Sequence, residues 1–152
     1  MSTDVPTLLR SLAFTRDLES ANLDRLAEIA KSVAWQPGQT IFREGDRDDF
    51  LYLVTEGHVA LEITVPPRGR VRILTVGPGE VFGWSSVYYQ KPKTAGATAI
   101  EPTRALALDA TRLRELSEAD PRFGYWLARR LLQVVSERLK ATRLQLLDVF
   151  KS

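Results

Sequence analysis

The stretch from Gly77 to Ala99, GPGEVFGWSSVYYQKPKTAGATA, holds the residue types most suited to chemistry. It begins as a glycine-hinged turn, runs into two consecutive serines, Ser85 and Ser86, and ends in a tract of small residues. A backbone built this way can wrap an anion, because glycine permits close approach. Other chemistries are poorly provided for. His58 is the sole histidine and sits just past a turn, so it reads as an exposed turn residue. A metal or haem site needs more ligands than one imidazole, and a Ser-His-Asp grouping needs spaced partners. The absence of cysteine removes thiolate metal sites, iron–sulfur clusters and a disulfide framework. Glu44, Asp46, Asp48 and Asp49 crowd one loop. They lack the spacing of a calcium loop and read as a solvated turn. No enzyme activity and no metal are expected.

The elements around this stretch fall into three blocks. A chain of 152 residues, 44% hydrophobic and 26% charged, fits one domain with a sizeable core. The formal net charge of +2 argues against wholesale nucleic-acid binding and leaves room for a local basic patch. No charged head precedes an apolar run at the start, and no apolar run approaches the ~18–20 residues that span a bilayer. A cytoplasmic location without membrane attachment is the expectation.

Residues 6–34 read as helical. LLRSLAF forms one short helix, and Ser20 caps a second in which Leu23, Leu26, Ala27, Ala30 and Val33 recur at helical spacing. From the Gln36–Gly38 turn to Leu108 the period is two. Val59, Leu61 and Ile63 share one face of a strand behind a two-residue hairpin turn at Glu56-Gly57. In VRILTV, Val71 and Ile73 oppose Arg72 and Leu74, and two further strands break at Glu101-Pro102. Short strands with frequent turns predict a β-barrel or jelly roll over 35–108. Helices return over 109–150, with Asp109 and Asp120 as N-caps and Pro121 at the first helical position. The fold class is therefore mainly β with flanking helices.

On the last helix Leu132, Val135, Leu139, Thr142, Leu146 and Val149 step alternately by three and four, a heptad seam. Leu144 and Leu147 lie off it. A terminal helix this long outruns its own domain, so part of it should meet a second copy about a two-fold axis. Its basic residues, among them Arg129, Arg138 and Arg143, read as a solvated face with cations toward the C-terminus rather than a nucleic-acid face.

Helices, a barrel of short strands, an anion-wrapping turn and a dimer-type helix occur here in the order of the cyclic nucleotide-binding domain. QPGQTIFREGDRDDFLYLVTEGHVALEI resembles that family's opening, with Gly38, Gly45 and Gly57 at successive turns. GPGEVFG resembles the entry to its phosphate-binding cassette, PKTAGATA its end, and SERLKATRLQLLDV the dimer helix of Crp/Fnr-type regulators. The resemblance implies that Phe82, Gly83, Trp84, Ser85, Ser86, Lys93, Thr94 and Ala95 surround a ligand. Backbone N–H groups at a helix start would cradle its phosphate. It implies a cyclic nucleotide, cyclic AMP or cyclic GMP, or another anionic small molecule as ligand, and no other cofactor.

Two positions depart from the family. Trp84 stands where the family has a glutamate for the ribose hydroxyl, and Lys93 where it has the phosphate-binding arginine. Lysine keeps the charge and loses the bidentate fork. An indole is a donor only, although it can stack on a base. Losing one charge-assisted bond costs about 1.5–3 kcal/mol, or roughly one to two decades of affinity. Ser136 occupies the helix position where some members point a hydroxyl at the base; otherwise it is solvated. Tyr88 and Tyr89 either line the pocket or cover the barrel. Full-length Crp/Fnr regulators continue into a helix-turn-helix domain, and the expectation here is a stand-alone domain without it. The expectation is a non-catalytic, homodimeric sensor that regulates a protein partner, with direct DNA binding not expected. The competing reading is a dimerisation scaffold with a vestigial cassette.

Overall fold

The computed structural model describes residues 4–88 and 91–151. Its first helix, α1 (Val5–Ser11), starts where the Asp4 carboxylate accepts the Thr7 N–H at 2.9 Å and proline occupies the first turn. α1 ends before Leu12, and a 3-10 turn over Ala13–Thr15 follows. The single helix expected across LLRSLAF is thus displaced and broken. In α2 (Ser20–Ile29), Ser20 is already helical, and Glu19 holds the cap position without a side-chain bond.

The helical expectation up to residue 34 fails at Ala30. β1 (Ala30–Trp35) is a strand, paired antiparallel with β8 (Thr103–Asp109) along its whole length. Ala30 and Val33, three apart, continue the helical spacing, but pairing with a buried strand overrides that local pattern.

The remaining strands are β2 (Thr40–Phe42), β3 (Phe50–Glu56), β4 (Val59–Val65), β5 (Gly69–Val76), β6 (Val81–Phe82) and β7 (Gly96–Ala99). They form two four-stranded sheets, ordered β1-β8-β3-β6 and β2-β7-β4-β5, with every pairing antiparallel. Both sheets contribute to one core of Phe42, Tyr52, Val54, Val59, Val76, Phe82, Ala97 and Ala107. Among the described residues no strand pairs from one sheet to the other. The architecture is a two-sheet jelly roll, and the barrel is not closed.

Two details re-aim the chain. β3 and β4 lie in different sheets, so Glu56-Gly57 is a crossing between sheets, not the expected hairpin turn. Gly57 has φ of 84°, and a Cβ there would sit 2.4 Å from the Pro102 carbonyl oxygen. In β5 the register with β4 slips between Arg72 and Leu74, which turns Ile73 out to 43% exposure. Val71 and Leu74 are half-buried and Val76 is buried. A bulge therefore changes which face the alternation buries.

The chain forms two compact units, one up to Glu115 and one from Leu116 onward. Within the first, α3 (Ser85–Tyr88) lies between β6 and β7. α4 (Ala110–Ala119) is capped as expected, the Asp109 carboxylate accepting the Arg112 N–H at 3.1 Å. α5 (Pro121–Lys151) opens under Asp120, which accepts the Arg122 and Phe123 N–H groups at 3.1 and 3.4 Å. Its 31 residues give a rod of about 46 Å. Phe123, Leu127 and Leu131 are buried, while every residue from Leu139 to Lys151 is exposed. No described helix is long and apolar enough to cross a membrane.

Candidate ligand site

The site grows from an aromatic floor. Phe82 is fully buried and stacks on Tyr52 at 4.8 Å between centroids, with Phe42 6.1 Å away. These rings anchor β6, so the chain leaves the core at a fixed point. The Phe82 side chain belongs to that core. Gly83 then turns the backbone with φ of 78°, and a Cβ on it would lie 2.7 Å from the Phe50 carbonyl oxygen. Only glycine fits both the conformation and the space. α3 begins two residues later, its turn closed by Ser86 N–H to Gly83 carbonyl (3.2 Å) and Val87 N–H to Trp84 carbonyl (3.1 Å).

Lys93 enters this turn from the other end of the cassette. It is only 7% exposed, an unusual state for lysine. Its ammonium donates to Ser86 Oγ at 2.7 Å and lies 4.9 Å above the Phe42 ring. It would be 3.7 Å from a Cβ on Gly83. Burial depresses the Lys93 pKa below that of a free lysine, and the Asp48 and Asp49 carboxylates partly restore it. The backbone is fixed as well: Lys93 N–H donates to the Asp46 carbonyl, and its own carbonyl accepts the Gly45 N–H, both at 2.8 Å.

Asp48 completes the framework. Its carboxylate accepts the Tyr52 hydroxyl at 2.8 and 3.1 Å and the Phe50 N–H at 3.1 Å, and its carbonyl accepts the Ser86 hydroxyl at 2.5 Å. Burial first, then the Asp48 charge and hydrogen bond, push the Tyr52 phenol far above its ordinary pKa. A continuous chain Tyr52–Asp48–Ser86–Lys93 thus ties β3, the acidic loop, α3 and the approach to β7. The acidic loop is a turn, as expected, and its carboxylates organise backbone: Asp46 accepts the Arg43 N–H, and Glu44 the Thr64 N–H.

The structure therefore brings Gly83, Ser86 and Lys93 into contact, with half-buried Trp84 and Ser85 along the same turn. Thr94 is exposed and Ala95 half-buried beside Lys93. Ser86 uses its amide on Gly83 within the turn and its hydroxyl on the Asp48 carbonyl of the acidic loop, so both donors are engaged. Tyr88 is 46% exposed, and burial of the rest of its ring raises its pKa. Tyr89 lies outside the described residues. Ser136 belongs to the second unit, exposed on one stripe of α5 with Arg129, Leu132, Gln133 and Glu137. His58 is half-exposed and pairs through Nδ1 with Glu101.

Sequence reasoning missed two residues. Asp48 had a local signal, an aspartate opening a strand two residues before the backbone N–H it accepts. Arg114 had none. It reaches the Ser86 carbonyl at 2.5 Å from 28 positions away.

The fold is thus a two-sheet jelly roll in which a glycine turn, a one-turn helix and a buried lysine meet. The cyclic nucleotide-binding domain model matches residues 32–120, and the chain belongs to that family. It is 30% identical over 143 residues to the CRP-like cAMP-activated global transcriptional regulator of Mycobacterium tuberculosis H37Rv, covering 93% of this chain and 62% of that protein. Among solved structures, the N-terminal domain of a Streptomyces coelicolor A3(2) transcriptional regulator is 31% identical with a TM-score of 0.71. That match covers 88% of this chain and 94% of the Streptomyces chain. Thermus thermophilus Catabolite Activator Protein is 28% identical with a TM-score of 0.72, over 91% of this chain and 62% of its own.

Proposed function

We propose that this chain is a non-catalytic sensor domain that binds a cyclic nucleotide or another small anion between the Gly83–Ser86 turn and Lys93. Ligand binding would signal through α5 of a homodimer. The observation that carries this reading is the buried Lys93 ammonium, 2.7 Å from Ser86 Oγ inside the cassette. A desolvated cation is costly to hold, and a cleft that holds one is a candidate for anion recognition. The family and the cAMP-activated Mycobacterium tuberculosis relative support a cyclic nucleotide as the ligand class, and Trp84 offers an aromatic face where a carboxylate would have held a sugar hydroxyl.

A second reading has its own support. Ser86 and Lys93 already satisfy one another, as a ligand-free dimerisation scaffold with a vestigial cassette would require. Thermal unfolding against cyclic AMP, cyclic GMP and other nucleotides separates the two. A ligand at a hundred times its dissociation constant stabilises by about 2.7 kcal/mol, which raises the midpoint by roughly 5–10 °C at this size. A selective rise by one compound supports the sensor. A flat panel at millimolar concentration overturns it in favour of the scaffold.

A further inference from the structure

Arg114 holds the cassette from outside. It stands half-buried on α4, and its Nη1 donates to the Ser86 carbonyl at 2.5 Å and reaches the Val87 carbonyl at 3.4 Å. Its Nη2 donates to Thr111 Oγ1, on the first turn of the same helix, at 3.0 Å. α3 is a single turn of four residues, so its last carbonyls have no partner within the helix. Arg114 supplies that partner. Ser86 is therefore gripped twice: its hydroxyl accepts the Lys93 ammonium, and its carbonyl accepts the Arg114 guanidinium. A planar fork with donors on separate nitrogens fixes both direction and distance, which a flexible ammonium does not.

We propose that Arg114 is a positioning residue that couples the cassette to α4. A displacement of the Gly83–Ser86 turn would be passed through the Ser86 carbonyl to Arg114, and from there to the helix that leads in sequence into α5. The inference rests on the cassette being the ligand site, but the mechanical link can be tested without any ligand.

Amide hydrogen exchange on the full chain provides the test, in two arms. In the first, Gly83→Ala perturbs the turn, because its Cβ would meet the Phe50 carbonyl oxygen at 2.7 Å. Exchange of the α4 amides should rise about fivefold or more. On an Arg114→Ala background the same substitution should change α4 by less than about twofold, the range expected of independent sites. Arg114→Lys should restore part of the response, since it keeps the cation and one donor. Lys93→Ala replaces Gly83→Ala if the latter does not fold. Equal responses with and without Arg114 overturn the coupling.

The second arm adds cyclic AMP. The wild-type chain should show altered α4 exchange on saturation, and Arg114→Ala, brought to saturation at whatever higher cyclic AMP concentration it needs, should lose that change. An undiminished change in Arg114→Ala overturns the coupling. A wild-type chain that binds no nucleotide of the panel overturns the sensor reading instead, and Arg114 is then decided by the first arm alone.

Discussion

At the scale of single residues, Lys93 and Tyr52 carry the testable chemistry. Lys93→Ala removes a charge-assisted donor worth about 1.5–3 kcal/mol, so the affinity of any anionic ligand should fall at least about tenfold by calorimetric titration. Unchanged affinity would remove Lys93 from the site. Tyr52 makes a prediction that needs no ligand. Its phenol is raised in the folded protein from an unfolded value near 10.0. The folded state keeps a proton that the unfolded state releases, so stability is fully present below pH 10 and declines above it. Lys93 acts in the opposite sense: its depressed pKa means stability is gained as pH rises toward 10.5. Urea unfolding from pH 8 to 11 should therefore show a shallower alkaline decline in Tyr52→Phe than in the wild type. Parallel declines would mean that the phenol ionises freely in the folded state. The position of Lys93 was legible from Pro92 and the small residues after it. Its burial was not, because that depends on Ser86, Phe42 and Asp48, which converge only in three dimensions.

At the scale of elements, what the sequence conveyed depended on how local each cause was. Asp109, Asp120 and Pro121 act within one turn of the helices they start, and those starts were readable. Ala30–Trp35 became a strand because β8 lies beside it, some seventy residues away, and no local pattern reports that pairing. The same holds for Ile73, turned outward by a register slip against β4. Glu56-Gly57 looked like a hairpin turn because two strands flank it, yet it carries the chain from one sheet to the other. That crossing gives the turn a stricter steric requirement. A methyl group on Gly57 would strike the Pro102 carbonyl oxygen at 2.4 Å and Thr103 Oγ1 at 2.6 Å, on backbone already at positive φ. Gly57→Ala should cost about 2–4 kcal/mol, read as a lower urea midpoint with an unchanged slope. Gly38→Ala has open space around it and tests φ alone, so it should cost less. Equal losses at both positions would mean that the close approach to Pro102 relaxes freely.

For the molecule as a whole, the open question is what covers α5. Leu132, Leu139, Leu146 and Val149 are 64%, 50%, 58% and 67% exposed in the single chain, and Thr142 is exposed with them. Val135, half-buried, continues the seam. Solvating such a row continuously is unfavourable at about 25 cal/mol per Å² of apolar surface, and a spacing alternating by three and four suits knobs-into-holes packing with an identical helix. The proposed homodimer follows from that geometry, and it gives a ligand in the cassette something to act on. A sensor shifts a population only if its ligand favours one arrangement of the paired helices over another. Leu139→Lys places a charge in the middle of the seam, Leu146→Lys one about two turns further along, and Leu144→Lys one off the seam entirely. Light scattering on the purified proteins should give a dimer for the wild type and for Leu144→Lys, and monomers for the two seam variants. If Leu144→Lys alone dissociated, the interface would lie on the other face of α5. If all three variants stayed dimeric, self-association would not use this helix, and a signal from the cassette would need a different outlet. With the seam variants monomeric, repeating the nucleotide panel on Leu139→Lys would separate binding from its consequence. Retained affinity with no change in α5 exchange would place the dimer downstream of the ligand rather than within its site.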